Sequence, residues 1–301
     1  MQQWISKLAR LEVGEILPDE PMSKHTTWKI GGPADAMIIP QNVRQLQELI
    51  RLLHEEQIPW MTVGKGSNML VSDKGIRGCV IRLGTDLESI AIDGAAISAG
   101  GGASFVRLSV MAGKAGLTGL EFAGGIPGTV GGAVYMNAGA HGSDVSRIFN
   151  SADIVLETGE LVTYTANDMM FAYRHSILHE QRGIVAEARF SLAAGDRLEI
   201  AAAMATYKDR RRKTQPLTQP CCGSVFRNPQ GDHAARLIEA AGLKGMKVGG
   251  AEVSTLHANF IVNTGQATAE DVLALMEKIK AVVADQSGVA LVPEVFYVGE
   301  R

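Results

Sequence analysis

Residues 119–144 read GLEFAGGIPGTVGGAVYMNAGAHGSD, and eight of these 26 are glycine. Five of them, Gly124, Gly125, Gly128, Gly131 and Gly132, fall within nine positions. Glycine loses more conformational freedom on folding than any other residue, so this density is unfavourable unless the backbone requires it. Two requirements would explain it: several residues at positive φ, or a main chain pressed against a ligand. Pro127 fixes one φ inside the run. A long, apolar, glycine-rich loop suits a flat aromatic cofactor contacted by peptide groups, with an unusual Ω-loop as the alternative. The stretch from Phe122 to Ser143 carries no acidic or basic charge. Its glycines, Pro127, Asn137 and His141 are nevertheless loop chemistry, not that of a lipid-facing helix.

The chain around this run has 301 residues, 46% hydrophobic and 20% charged, with 29 Lys+Arg against 32 Asp+Glu. That is too apolar and too balanced in charge for a disordered chain. A net charge of −3 gives no electrostatic reason to bind nucleic acid. Cys79, Cys221 and Cys222 are too few for a disulfide framework. MQQWISKLARLEVGEIL, at the N-terminus, lacks the continuous apolar stretch of a signal peptide. The expectation is a soluble, reduced, cytoplasmic protein of about two domains, with no membrane or nucleic-acid partner.

Upstream of the glycine run, residues 1–20 read as a short amphipathic helix and a connection. A strand over 35–40 follows. Asn42 then caps a helix marked by Val43, Leu46, Ile50 and Leu53. Strands over 60–63 and 69–71 flank a tight turn at 64–68, completing a β-α-β unit. Further strands are expected over 80–83 and 89–99, and a helix over 103–115. Downstream, strands fall at 152–157, 161–164 and 184–190. The last alternates Ile184, Ala186, Ala188 and Phe190 on one face with Glu187 and Arg189 on the other. Residues 193–220, with KDRRRKTQPLTQP, mark a boundary. Beyond it come a helix over 232–241 ending at Gly242, and one over 268–284 opening on a near capping box. Strands at 260–263 and 295–298 complete an α+β chain. A glycine-rich N-terminal two-thirds thus precedes a smaller C-terminal domain.

Val63, Gly64, Lys65, Gly66, Ser67 and Asn68 form VGKGSN between two strands. The dinucleotide-binding pattern G-x-G-x-x-G fails here, because Met69 occupies the third glycine position and a strand follows. The turn still offers peptide N–H groups, two small polar side chains and one cation, which suits a diphosphate. A solvated hairpin turn is the equal alternative. FAYRHSI with Tyr173 and Arg174, GSVFRNP with Ser224 and Asn228, and PEVFYVG with Glu294 are weak when each is taken alone. No phosphate-binding P-loop, G-x-S-x-G elbow or zinc spacing occurs. The basic run 210–213, including Lys213, is either a solvated face or a diphosphate contact.

HTTWKIGGPAD (25–35), VGKGSNML, the 119–142 run, FAYRHSI, GSVFRNP and LVPEVFYVG stand in this order. Together they resemble the UDP-N-acetylenolpyruvoylglucosamine reductase (MurB) family, over residues 20 to 299. The resemblance implies an α+β fold: a two-lobed FAD-binding domain of the vanillyl-alcohol-oxidase/PCMH type and a smaller C-terminal substrate domain. The lobes would be 1–85 and 86–200, and the substrate domain 201–301, with the strand near Glu294 returning to the active site. It implies bound FAD, NADPH as hydride donor, and reduction of an enolpyruvyl ether to a lactyl ether on a UDP-sugar in peptidoglycan synthesis. A monomer acting on this small molecule is expected.

Carried over by residue, Arg174, Ser224 and Glu294 match the family's catalytic positions. The implied FAD contacts are 63–68, Gly124, Gly125, Ile126, Pro127, Gly128, Gly131, Asn137, Gly139 and His141. Tyr173, Arg174, Lys213, Asn228 and His257 are the implied substrate contacts, and no metal is expected. The segment from Phe190 to Tyr207 is too short for the Tyr-bearing covering loop of one branch, which points to the shorter branch. As the family's chemistry requires, hydride addition leaves negative charge beside a carboxylate. Arg174 suits that charge. Ser224 suits proton delivery to a strongly basic carbon. Glu294 suits the place only as a protonated hydrogen-bond donor. Two other readings compete: a carbohydrate oxidase of the same cofactor fold, and a non-catalytic nucleotide-sugar binder.

Overall fold

The structure, a computed structural model, describes residues 3–300. The chain packs into two compact units, neither continuous in sequence. The first holds the N-terminal residues up to Pro18, Ala36–Gly64 and Gly78–Asp209. The second holds Asp19–Asp35, Lys65–Arg77 and the chain from Arg210 onward. The expectation had been three consecutive segments.

In the first unit the helix Val43–Glu55 forms where expected. The Asn42 side chain accepts the Gln45 N–H, and Leu46, Leu49, Ile50 and Leu53 are buried. It connects the strand Pro33–Ile39 to Trp60–Thr62. These join Glu15–Pro21 and Ile76–Ile81 in a four-stranded sheet, Trp60–Thr62 lying parallel to Ile76–Ile81. Glu15–Pro21 is a strand where only a connection was expected.

A five-stranded antiparallel sheet forms the rest of this unit's frame. Its order is Leu161–Thr165, Phe149–Leu156, Gly183–Ser191, Ala96–Gly100, Ile90–Asp93. Ile184, Ala186, Ala188 and Phe190 are buried as the alternation requires. Arg189 reaches Asp153 on the next strand, Nη1 to Oδ1 at 3.0 Å. That guanidinium holds the Asp153 carboxyl below the usual carboxylate range. The helix Phe105–Ala115 starts at the Ser104 cap and ends at Gly116.

The stretch read as a boundary holds an 18-residue helix, Arg197–Thr214, within which the division between the two units falls, at Asp209 and Arg210. Its inner face is thin: Ile200 alone is buried, and Ile200 and Met204 lie over Gly113.

In the second unit Trp28 is fully buried. Its Nε1 donates to the Ile261 carbonyl at 2.7 Å, and Asn263 Nδ2 donates back to the Trp28 carbonyl at 3.0 Å. The strand Ile261–Asn263 pairs antiparallel with Ala251–Val253, and Met69–Val71 pairs parallel with Phe296–Val298. The helix Ala269–Ser287 opens on a capping box of Thr268 and Asp271 and ends at Gly288, which has φ +69°. It runs three residues past the expected end. Asp73 adds a second cap, accepting the Ala269 N–H at 2.9 Å. The helix Ala234–Ala240 is shorter than expected. No described helix is long and apolar enough to cross a membrane. No group of three His, Cys, Asp or Glu among the described residues could hold a metal ion.

Candidate active site

In the first unit the glycine run forms a short 3-10 turn, Glu121–Gly125, then an open stretch, then the helix Val130–Tyr135. Phe122, Ala123 and Val130 anchor it in the core, while Gly124 to Gly128 remain half-buried or exposed. This is the profile of a wall, fixed from behind and open in front. Gly131 N–H donates to Gly101 O at 2.8 Å, and a Cβ on Gly131 would lie a tight 3.0 Å from that same oxygen. Gly64 comes up against Thr129: a Cβ on Gly64 would sit 2.6 Å from Thr129 Oγ1. Thr129 is itself the cap of the helix that follows, accepting the Gly132 N–H at 3.3 Å.

Tyr173 and Arg174 occupy the tip of a two-residue turn. Ala172 and His175 exchange backbone hydrogen bonds at 3.1 Å in both directions. Arg174 has φ +55°, a conformation that a residue with a Cβ adopts at a cost. Its guanidinium lies 5.2 Å from the centre of the exposed Tyr173 ring. The turn is braced from the glycine run. Asn137, buried and at φ +41°, donates Nδ2 to Ala172 O at 3.0 Å and accepts the Ser146 N–H through Oδ1 at 2.9 Å. Ser176 Oγ donates to Tyr135 O at 2.7 Å. The Asn137 amide, expected to touch cofactor, is thus engaged at both ends with protein. His141, expected beside it, stacks on Tyr207 with ring centres 3.9 Å apart. Gly139 pairs across a tight hairpin with Asp144.

In the second unit the turn continues as Lys65, Gly66, Ser67 and Asn68. Gly66 has φ +60°, and a Cβ there would lie 2.2 Å from the His25 carbonyl oxygen. The N–H of Thr27 donates to Gly66 O at 3.2 Å. HTTWKIGGPAD is therefore the support of this turn, with Trp28 as its anchor.

Ser224 follows Gly223, which has φ +84°. The segment Ser224–Arg227 runs antiparallel to Val292–Val295. Glu294 N–H donates to Val225 O at 2.8 Å, and Arg227 N–H to Val292 O at 2.9 Å. Ser224 and Glu294 thus sit on adjoining strands, both half-buried. Burial pushes the neighbouring Cys222 thiol up, with the Cys221 and Glu294 charges adding to the effect.

Asn228 is exposed, and its Oδ1 accepts the Ala234 N–H at 3.1 Å, capping the next helix. His257 accepts the Asn259 N–H at Nδ1, so its neutral ring carries the proton on Nε2. Burial, and then Lys244, lower its pKa. Lys213 is exposed near the end of the helix Arg197–Thr214.

Two positioning residues escaped the sequence reading. Thr129, inside the glycine run, is the residue that Gly64 packs against. Asn259, buried, holds Phe226 by both main-chain groups: Oδ1 accepts its N–H at 3.0 Å and Nδ2 donates to its carbonyl at 2.8 Å. The only signal for Asn259 was an amide inside an otherwise apolar run, HANFIV.

The matches of this chain to known proteins make it a flavin-dependent oxidoreductase. A model of the FAD-binding domain matches residues 34–165, and one of the C-terminal domain of UDP-N-acetylenolpyruvoylglucosamine reductase matches 215–298. The reductase of Halalkalibacterium halodurans is 48% identical over all of both chains, and that of Bacillus licheniformis 49% identical, also over all of both. The crystal structure of the Thermus caldophilus reductase is 35% identical, with a TM-score of 0.81 over 94% of this chain and 98% of that one. Berberine bridge enzyme from Eschscholzia californica shares the fold at 14% identity and a TM-score of 0.50, over 65% of this chain and 44% of its own. The chain belongs to the UDP-N-acetylenolpyruvoylglucosamine reductase family.

FAD fits the residues present. The peptide N–H groups of Gly64, Lys65, Gly66 and Gly128 find no acceptor among the described residues. Such donors suit the oxygens of a diphosphate. The half-buried glycine wall offers the apolar main-chain surface that a flat ring requires.

Proposed function

We propose that this chain catalyses the NADPH-dependent reduction of the enolpyruvyl ether of UDP-N-acetylglucosamine to UDP-N-acetylmuramate. Arg174, Ser224 and Glu294 would carry the chemistry. Bound FAD would supply the redox step, taking hydride from NADPH and passing it to the terminal carbon of the enolpyruvyl group. The observation that supports this reading most is the pairing of the strands bearing Ser224 and Glu294, joined by the Glu294 N–H to Val225 O bond.

The chain's own residues have three tasks. Hydride addition leaves an electron pair on the carbon beside the substrate carboxylate, delocalised into its oxygens. Arg174 stabilises that charge: its cation is permanent, its fork matches a carboxylate, and its turn is pre-set by Asn137 and Ser176. Ser224 Oγ–H delivers the proton to that carbon, a transfer open to a weak acid because the acceptor is strongly basic. Glu294, on the segment paired with that of Ser224, would contact the same developing charge. Val63 to Asn68 and Gly124, Gly125, Ile126, Pro127, Gly128 and Gly131 bind the cofactor, with Gly139, Asn137 and His141 shaping that wall. Tyr173, Lys213, Asn228 and His257 contact substrate, His257 through its Nε2 proton.

Cys79, Cys221 and Cys222 are all free thiols, which suits a reducing cytoplasmic location. We take the working species to be a monomer. The test of the reading is a visible spectrum of the purified protein. A flavin band should be bleached by NADPH and restored by the enolpyruvyl substrate. A colourless protein that binds the nucleotide sugar without bleaching would overturn it.

A further inference from the structure

Arg227 lies three residues after Ser224, in a stretch where sequence patterns single out only its neighbours. Its Nε is buried and has no hydrogen-bond partner among the described residues. No carboxylate among them forms an ion pair with its guanidinium, and the residue as a whole is half-buried. A guanidinium is a strong donor set that is costly to leave unmatched away from water. Elsewhere the half-buried arginine of the first sheet, Arg189, is matched by Asp153 and Glu187. Arg227 has no such match.

Its main chain is held rigidly. Arg227 N–H donates to Val292 O, while Asn259 grips Phe226 immediately before it. Across the bridge Phe226↔Pro293, Arg227 is opposite Val292 and Val225 is opposite Glu294. On an antiparallel ladder this places Arg227 diagonally beside Glu294, on the same face. The structure thus fixes a cation without a partner next to a residue assigned to the chemistry. Val292 opposite it is 55% exposed, so this end of the ladder is open.

We propose that Arg227 is a substrate-binding residue whose guanidinium receives the diphosphate of the nucleoside-diphosphate sugar. The assignment rests on the function proposed above. Arginine suits the task because its planar fork pairs with two phosphate oxygens and its charge persists at any physiological pH. Binding would satisfy the buried donor that the free protein leaves open. Arg227 is then a specificity residue: it recognises what carries the reacting group, and takes no part in the proton or hydride steps.

The test uses the flavin-loaded holoenzyme, titrated with UDP and, separately, with uridine. Arg227→Gln should weaken UDP binding by at least about tenfold. It should also flatten the salt dependence of UDP binding while leaving uridine affinity, flavin content and melting temperature close to wild type. Arg227→Lys, which keeps the charge and loses the fork, should fall between the two. Equal UDP affinity in Arg227→Gln and wild type would overturn the assignment. So would a parallel loss for uridine, which marks a structural role. A loss confined to the rate at which NADPH bleaches the flavin would assign the arginine to the reductant's phosphates instead, and overturn the sugar-nucleotide assignment. If the wild-type holoenzyme bleaches with NADPH but binds neither UDP nor the enolpyruvyl substrate, the proposed function fails independently of Arg227.

Discussion

Gly64 lies against Thr129 so closely that a Cβ on Gly64 would lie 2.6 Å from Thr129 Oγ1 and 3.0 Å from its Cγ2. The two glycine-bearing segments that looked independent in the sequence therefore meet in the first unit. Thr129 cannot easily turn away, because its hydroxyl caps the helix Val130–Tyr135.

Gly64→Ala is expected to destabilise the protein by about 1–3 kcal/mol through overpacking, and to lower flavin occupancy. Thr129→Ala alone should cost about 1 kcal/mol as a lost cap. The double variant should cost less than the two combined, because the clash is relieved. Melting temperature and the flavin-to-protein absorbance ratio measure both effects; strict additivity would show that the contact is not limiting.

Arg174→Gly should separate stability from function. Glycine removes the penalty of φ +55°, so the variant should gain up to about 1 kcal/mol. Its flavin should be bleached by NADPH but no longer be reoxidised at a useful rate by the enolpyruvyl substrate. Thermal melting and stopped-flow spectra of the two half-reactions are the readouts. A variant that turns over normally would remove Arg174 from the chemistry.

Ser224→Ala is expected to leave reduction by NADPH at the wild-type rate and to slow the oxidative half-reaction by roughly 100-fold or more, as befits loss of a positioned proton donor. Wild-type rates in both half-reactions would rule out Ser224 as the donor.

The Asp271 carboxyl is held below its usual range by the Thr268 N–H first and the Gly250 N–H next. A carboxylate with a lowered folded pKa stabilises the fold above its unfolded pKa and loses that contribution as pH falls through the folded value. Wild type should therefore exceed Asp271→Ala by about 1 kcal/mol at neutral pH. The gap should close below the normal carboxylate range near pH 4. Urea unfolding at pH 7 and below pH 4 checks this, and a gap independent of pH would contradict the cap's electrostatic origin.

Some of this architecture was legible because it rests on local rules. The helix Ala269–Ser287 announces itself through Thr268, Asp271 and a stripe of Val272, Leu275, Met276, Ile279 and Val283. The helix Arg197–Thr214 does not, because it buries one residue and its inner face includes Ala203, Tyr207 and Arg211 beside a run of charge. No apolar period marks such an element. At the candidate site, Ser224 and Glu294 could be matched as motif members, but their adjoining strands could not be read from separations of 70 residues. Asn137 had looked like a cofactor contact because it stands inside the glycine run. Its amide also holds the Arg174 turn, a role that no sequence pattern marks. Arg227 carries no signal in the sequence, since only coordinates reveal that its Nε is buried without a partner among the described residues.

The second unit is assembled from three stretches, 19–35, 65–77 and 210 onward. Trp28 is sealed against Ile261, and Asp73 caps a helix that begins at Ala269. During synthesis the first two stretches leave the ribosome roughly 200 residues before the strands and helix they complete. At about 5–20 residues per second that interval is on the order of ten to forty seconds. Throughout it a tryptophan and a set of strand edges await partners not yet made. Until then the N-terminal end of the nascent chain exposes apolar surface that the folded second unit buries. Truncation anywhere in the last third should strand the beginning of the protein as well as its end.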